Sequence, residues 1–389
     1  MPYHIKNVYQ NPGPKQSCNS ITYYGITADI YDPNALADYT AALAGFSWPN
    51  SAPPAQTIVY FPEEADDMFG LDQNYTHTDM GFMILAQNPM QVSDGRGFTY
   101  PDHTLYSKMA LKKFLADKYG TIGALNTAWG MNYTTFDTSD PAGDTGIQNG
   151  TYASYGTGTG LLDEAGSGVL PSDTNCNLAP SVQWASHPQI QADVDAFVAQ
   201  WATTYGQILS QAITASVPQH PAVFLPLYNA PAYVYSAIAP YVDGFWVAVN
   251  QTPGSAVQQV QTILNASSKP IIVNDYSVSN PDSPLSAFSD ASCTNCPPYV
   301  DQPSRGNGMV TWWQSILGLK NAQGLFGVVG VEHWQLYDNK TEQLDFGFAT
   351  STFDNPYDGS ANTNNGEAAN YGDLITPIQT FLNGNLCDP

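Results

Sequence analysis

Seven consecutive residues near the carboxyl end of the chain bring together side chains that could do chemistry. They include Glu332, His333, Trp334, Gln335, Tyr337 and Asp338. The apolar run Phe326–Val331 precedes them and is typical of a strand buried on both faces of a parallel sheet. Parallel α/β folds place their chemistry at the carboxyl ends of strands. Aromatic rings among polar groups there favour a sugar-binding site, although a strand whose polar residues simply reach water would have the same pattern.

Strands and helices alternate through the second half of the chain, which indicates a parallel α/β fold. The predicted order is strand 222–228, helix 231–239, strand 244–249, helix 255–266, strand 271–274, helix 308–320 and strand 325–331. The first half is predicted to be irregular over residues 1–20, with strands at 21–30, 57–61 and 80–86 and helices at about 35–44, 105–118 and 188–215.

The stretch from about 131 to 180 differs from the rest in composition. It is rich in Gly, Thr, Ser, Asp and Asn and has little hydrophobic periodicity. It is too long for an ordinary connection, so we expect a functional or disulfide-tied insertion. Since no repeat and no obvious linker divides the chain, we expect residues 1–389 to form one domain.

The charge of the chain excludes several partners. Its 389 residues carry 11 Lys and Arg against 34 Asp and Glu, a net charge of −23. Nucleic acid and anionic membranes need clustered cations, so neither is an expected partner. No apolar run approaches the length that crosses a membrane. Charged residues make up only 12% of the chain, and this composition favours a secreted or periplasmic protein that binds a neutral substrate.

The cysteines and histidines do not form a metal or cofactor motif. Cys293 and Cys296 form a CxxC in a loop rich in Pro, Ser and Asp, without a second CxxC. A disulfide that ties this loop is therefore the expectation, rather than zinc. The sequence has no HExxH, no GxSxG and no glycine-rich phosphate loop, so we predict neither a metal nor a cofactor.

Several segments resemble one family of enzymes. The segment LKKFLADKYGTIGALNTAWG (111–130) resembles the stretch after strand four of β-galactosidases and β-agarases, which are retaining (β/α)8 glycosidases. KPIIVNDY (269–276) is similar to the family's strand seven, and YYGITADIYDP (23–33) to its strand three. His333–Gln335, Asp338, Phe346–Phe348 and Asn355–Tyr357 are similar to strand eight and its tail.

The resemblance implies roles for two carboxyl groups. Asp275 stands where the family carries its nucleophile, a glutamate, and Glu64 stands in the place of the acid/base, with Glu63 replacing the family's asparagine. If residues 80–86 form strand four instead, Asn88 takes the acid/base position and no proton donor is there. The order of the strand-three motif and strand 57–61 favours Glu64.

Retaining hydrolysis needs two carboxyl groups about 5–5.5 Å apart, one protonated and one ionised. Crowding two acids raises the pKa of one of them, which creates a general acid. Other interpretations stay open for the same residues. The acidic loop Glu63–Asp67 could be solvated or could bind calcium, Asp275 could be a turn residue, and Glu332 could be a buried structural carboxylate.

We therefore expect an α/β fold, a (β/α)8 TIM barrel with a long insertion after strand four. Because the strand-three resemblance begins near Met1, the barrel is expected to lack its first two strands unless residues 80–86 and a further segment supply them. The expected function is hydrolysis of a neutral, β-linked galactose-type oligo- or polysaccharide. The alternative is a non-catalytic carbohydrate-binding barrel that has lost the acid pair. Beside the catalytic Glu64 and Asp275, the expected sugar-binding residues are Glu63, Asn229, Glu332, His333, Trp334 and Asp338.

Overall fold

The structure is a computed structural model. It describes residues 8–10, 26–28, 30–31, 33–44, 58–60, 106–130, 136, 188–216, 222–227, 230–249, 253–276, 301–333, 361–362, 367–368 and 371–385. Two compact units divide the chain, Met1–Asp243 and Gly244–Pro389. Each unit is α/β; in the described residues the first unit has one parallel and one antiparallel pair of strands, and strands and helices alternate in the second unit from Gly244 to His333. In the described part of the chain, no helix combines the length and apolarity needed to cross a membrane.

In the part of the first unit that the structure describes, four strands form two pairs. Strand β3 (Ile58–Tyr60) lies parallel to β4 (Ala222–Pro226), with Tyr60 opposite Phe224. Strand β1 (Val8–Gln10) pairs antiparallel with β2 (Ile26–Ala28). The prediction that residues 1–20 are irregular is wrong at Val8–Gln10. The strand predicted at 21–30 is present as Ile26–Ala28, but it pairs antiparallel, unlike strand three of a parallel barrel. The predicted strands at 57–61 and 222–228 are confirmed.

The helices of the first unit pack around one long helix. They are α1 (Ala35–Ala44), α2 (Tyr106–Tyr119), α3 (Ile122–Trp129), α4 (Pro188–Ser216) and α5 (Ala232–Ile238), followed by a 3-10 turn at Ala239–Tyr241. Helix α4 buries Phe197, Trp201, Tyr205 and Leu209 at helical spacing. Helix α1 packs against it, since the ring of Tyr39 meets Tyr205 edge-on at 6.3 Å.

The second unit contains a parallel sheet in the order β5–β6–β7. Its elements are β5 (Gly244–Ala248), α6 (Pro253–Ser267), β6 (Ile271–Tyr276), α7 (Gln302–Leu317), β7 (Val328–His333), the antiparallel pair β8 (Ala361–Asn362) and β9 (Glu367–Ala368), and α8 (Tyr371–Asn385). One face of β5 and β6 is fully buried, with Phe245, Val247, Ile271 and Val273 at 0% exposure. The predicted strand–helix alternation is confirmed here.

Two details of the second unit differ from the predictions. Helix α7 begins at Gln302, six residues early, because Asp301 and Ser304 form a capping box. The final strand begins at Val328 and includes Glu332 and His333. The prediction that this run is buried on both faces is wrong, since Phe326 is 66% exposed and Val329 57% exposed.

Candidate functional site

The carboxyl ends of β5, β6 and β7 lie at one edge of the second unit's sheet. Ala248 is opposite Asn274, and the N–H of Val249 donates to the carbonyl oxygen of Asn274 at 3.2 Å. On the other side, Tyr276 of β6 is opposite His333 of β7. The strands form because short β-branched runs are bounded by glycine and proline. Parallel strands then bring their polar terminal residues to the same edge.

A β-bulge interrupts the pairing at this edge. Val273 is opposite Val331 and Tyr276 is opposite His333, so two residues of β6, Asn274 and Asp275, face one residue of β7, Glu332. A bulge bends its strand and changes the direction of side chains, and bulges are enriched beside active sites. The backbone thus brings the predicted nucleophile Asp275 next to Glu332 and one residue from His333.

The residues at this edge differ in exposure. Glu332 is exposed, His333 is half-buried and Asn274 is 8% exposed. Within the part of the chain that the structure describes, Glu332 has no hydrogen-bond or ion-pair partner. An exposed carboxylate at a strand end is accessible to a ligand. Asn274 was missed by the sequence analysis, although its position between an apolar run and Asp275 was a usable signal.

The other predicted site residues lie outside the described residues: Glu63, Glu64, Asn229, Trp334 and Asp338. The strands that precede all five are described, since β7 ends directly before Trp334 and five residues before Asp338. Strand β3 ends three residues before Glu63 and strand β4 ends three residues before Asn229. Because β3 and β4 are parallel neighbours, their carboxyl ends lie at the same edge of the first unit. The roles assigned to these residues stay predictions.

The segment that resembles the glycosidases builds a buried carboxylate network in the first unit. Asp193 of α4 is 0% exposed and its carboxylate accepts a hydrogen bond from Lys118 Nζ. It accepts three more, from Tyr119 Oη at 2.5 Å, Trp129 Nε1 at 2.7 Å and Gln189 Nε2 at 2.9 Å. The Lys-Tyr-Gly and Trp-Gly motifs, which carry the resemblance, therefore help to pack α2 and α3 against α4.

The protonation of this network follows from its burial and its donors. Burial alone raises the pKa of Asp193, but the bonds from Lys118, Tyr119, Trp129 and Gln189 together hold that pKa below its ordinary value. Burial, followed by the bond to Asp193 and its negative charge, raises the pKa of Tyr119 to about 12. At neutral pH the network therefore contains an ionised aspartate and a neutral tyrosine. The Asp193 carboxylate has all its hydrogen-bond partners within the protein, so we interpret the network as structural.

Among the described residues, no group of three or more His, Cys, Asp or Glu side chains is arranged to hold a metal ion. The five cysteines lie outside the described residues. The expected disulfide therefore stays a prediction.

Comparison with known proteins gives a fold likeness and one short sequence likeness. No family model matches the chain. A thermophilic beta-amylase of Thermoanaerobacterium thermosulfurigenes is 41% identical over 68 residues, which are 15% of this chain and 12% of the relative. An exo-beta-agarase structure matches 96% of the chain with a TM-score of 0.53 and 15% identity. The agarase AgWH50C matches 94% with a TM-score of 0.56 and 14% identity.

The TM-scores above 0.5 show that the chain shares its fold with these two agarases. The chain spans only about two fifths of the length of the two agarases, 41% and 42%. It also spans a small part of the amylase. The predicted α/β fold with parallel strands is confirmed.

Proposed function

We propose that the chain is a glycoside hydrolase with a (β/α)8 barrel that cleaves a neutral, β-linked galactose-type oligo- or polysaccharide. The observation that carries the proposal is the bulge that sets Asn274 and Asp275 opposite Glu332 at the carboxyl edge of two parallel strands. The fold likeness to two agarases supports the same reaction class. The acidic chain does not repel an uncharged glycan, so its charge is compatible with this substrate.

In this mechanism Glu64 is the general acid and base, and Asp275 is the nucleophile. Glu64, protonated, gives its proton to the glycosidic oxygen as the bond breaks, and the Asp275 carboxylate attacks the anomeric carbon to form a glycosyl ester. Glu64, now ionised, takes a proton from the water that hydrolyses this ester. Aspartate is one methylene shorter than the glutamate of the resembling family. A bulge at residues 274–275 shifts the backbone locally, which offers a way to compensate for that length.

The remaining residues bind the sugar in this proposal. Trp334 offers an aromatic face to a pyranose ring, and Glu63, Asn229, Glu332, His333 and Asp338 supply hydrogen bonds to hydroxyl groups. Glu332 is the alternative nucleophile to Asp275, because it lies near the carboxyl end of the neighbouring strand β7 and is exposed. The two assignments predict different variants to be inactive.

The test is turnover of a chromogenic β-galactoside and of agaro-oligosaccharides by the full chain and its variants. Glu64→Gln and Asp275→Asn should each lower kcat by about 10²- to 10⁴-fold, because each removes a group that acts in the transition state. Circular dichroism should be unchanged. Asp117→Asn, an exposed position on α2, is the matched control and should retain full activity.

Three outcomes would change the proposal. Activity like that of the unaltered chain in Glu64→Gln or Asp275→Asn removes that residue from the mechanism. Loss of activity in Glu332→Gln, with Asp275→Asn still active, moves the nucleophile to Glu332. Turnover of amylose in place of galactosides would align the chain with its amylase relative rather than with the agarases.

The second candidate is a carbohydrate-binding barrel without turnover. Aspartate in place of the expected glutamate at position 275 favours it, since a wider gap between the carboxyl groups weakens direct attack. Isothermal titration with agaro-oligosaccharides separates the two functions. Heat of binding without release of reducing sugar supports the second candidate, and release of reducing sugar excludes it.

A further inference from the structure

The loop between α7 and β7 is held in one shape by its own hydrogen bonds. The side-chain oxygen of Asn321 accepts from the N–H groups of Gln323 and Leu325, each at 3.0 Å. The N–H of Asn321 donates to the carbonyl oxygen of Leu325 at 2.9 Å. Gly324 has φ +77°, in the left-handed region that favours glycine. The loop is therefore a built turn with a defined shape.

This built turn presents two bulky apolar side chains to water. Leu325 is 64% exposed and Phe326 66% exposed, the largest values among the large apolar residues that the structure describes. The Nζ of Lys320 lies 4.9 Å from the centroid of the Phe326 ring, within the range of a cation–π interaction. Apolar side chains that are fixed before binding lose little entropy when a partner covers them, which is typical of an anchor point in an interface.

The two sequence stretches that contain the loop and the strand start beside it carry no acidic residue. None of the 34 acidic residues falls within 244–274 or 302–331. These stretches hold three cations, of which Arg305 is fully buried while Lys269 is half-buried and Lys320 exposed. Lys269 lies two residues before Ile271, whose N–H donates to the carbonyl oxygen of Gly327 at 2.8 Å. Both lysines thus lie near Phe326, in segments without carboxylates, on a chain of net charge −23.

We propose that Lys269, Lys320, Leu325 and Phe326, the apolar–lysine patch, form a docking surface for another protein. Its partner is an acidic segment that carries apolar side chains, because carboxylates complement the lysines and apolar groups cover Leu325 and Phe326. A sugar is the poorer fit, since it stacks on aromatic faces, and one face of Phe326 is occupied by Lys320 while Leu325 offers no ring. The patch lies at the amino end of β7, and the candidate catalytic edge lies at the carboxyl end.

A labelled peptide of repeated Glu-Leu-Glu-Phe tests the proposal by fluorescence anisotropy with the full chain. The chain as a whole repels such a peptide, so binding requires a local cationic and apolar surface. Phe326→Ser and Lys320→Glu should each weaken binding by about tenfold or more, the effect of losing an anchor residue. Both side chains are exposed, so both variants should unfold at the same urea concentration as the unaltered chain.

Leu382→Ser is the matched control, because this leucine of α8 is also exposed, at 41%, but is not part of the patch. It should bind the peptide as the unaltered chain does. Absence of binding, or binding that Phe326→Ser and Lys320→Glu leave unchanged, overturns the proposal. Self-association through the patch in sedimentation velocity would assign it to a second copy of this chain instead. Binding of a sulfated galactan that Lys320→Glu abolishes, without peptide binding, would assign it to an anionic glycan.

Discussion

At the scale of the residue, Asp193 gives the segment 111–130 a structural role, because side chains of that segment bind its carboxylate. A fully buried carboxylate is costly unless donors compensate for the lost water, and here four side chains do so. Removing the charge should therefore be destabilising. We expect Asp193→Asn to lower the free energy of unfolding by about 1–3 kcal/mol, because an amide nitrogen in place of one carboxylate oxygen leaves buried donors without an acceptor. Urea denaturation at pH 7 measures the change.

The control for this prediction is Asp117→Asn on the exposed face of α2. Asp117 pairs with Lys113 at 2.7 Å in water, and such exposed pairs contribute about 1 kcal/mol or less. Equal losses in the two variants would show that the Asp193 network does not stabilise the fold.

The same residue gives an expected pH dependence. The pKa of Asp193 is lower in the folded protein than its ordinary value of 3.8. Its contribution to stability is therefore present above that ordinary value and is lost as the pH falls through the folded-state pKa. Below about pH 4 the difference in stability between the unaltered chain and Asp193→Asn should shrink.

At the scale of the element, Gly327 sets how closely β7 approaches α6. A Cβ added to Gly327 would overlap the Leu264 side chain, with Cδ1 at 2.8 Å and Cδ2 nearer still. Leu264 is 0% exposed, so its side chain would have to shift within the core to make room. We expect Gly327→Ala to cost about 1–3 kcal/mol of stability through overpacking, measured by urea denaturation.

Gly330, which lies within β7, is the matched control for Gly327, which directly precedes that strand. A Cβ there would lie 3.7 Å from Ile272 Cγ1, an ordinary contact. Gly330→Ala should therefore change stability by less than about 1 kcal/mol. If the two alanine variants lose the same stability, contact with Leu264 is not the reason for glycine at position 327.

The elements of this fold were predictable to different degrees for physical reasons. Helix α4 was predicted to within one residue of its end because its apolar residues recur at helical spacing over many turns. Strand β2 was predicted as part of 21–30, but its antiparallel pairing was not, because its partner β1 lies elsewhere in the chain. The bulge opposite Glu332 depends on pairing between β6 and β7, which no local pattern contains.

Candidate site residues could be placed from the sequence where they follow an apolar run. Contacts between residues far apart in the sequence could not be predicted. The position of Asp275, Glu332 and His333 at strand ends was predictable because apolar runs precede them, while their roles stay predictions. The role of Asp193 was not predictable, because its bonds to Tyr119 and Trp129 join residues 74 and 64 positions apart. Only the fold brings such residues together.

At the scale of the whole molecule, the oxidation state of the cysteines shows whether the protein works in an oxidising compartment. Five cysteines cannot all pair within one chain. In an oxidising compartment we expect disulfides, so titration of the unreduced, denatured protein should find one free thiol, or three if a single bridge forms. The reduced protein, with five reactive thiols, is the control. Five free thiols before reduction would contradict secretion.

The Asp193 network holds together the two segments that flank residues 131–187. Trp129 and Gln189 both donate to this carboxylate, so the residues on either side of 131–187 are held within a few ångströms of each other. Tyr31 stacks on Phe197, and Ser216 Oγ donates to the carbonyl oxygen of Thr40 at 3.0 Å, so further contacts join the parts before and after that stretch. A single protease cut between residues 131 and 187 would therefore yield two fragments that remain assembled. The same position suits a split-protein reporter whose halves recombine without a linker.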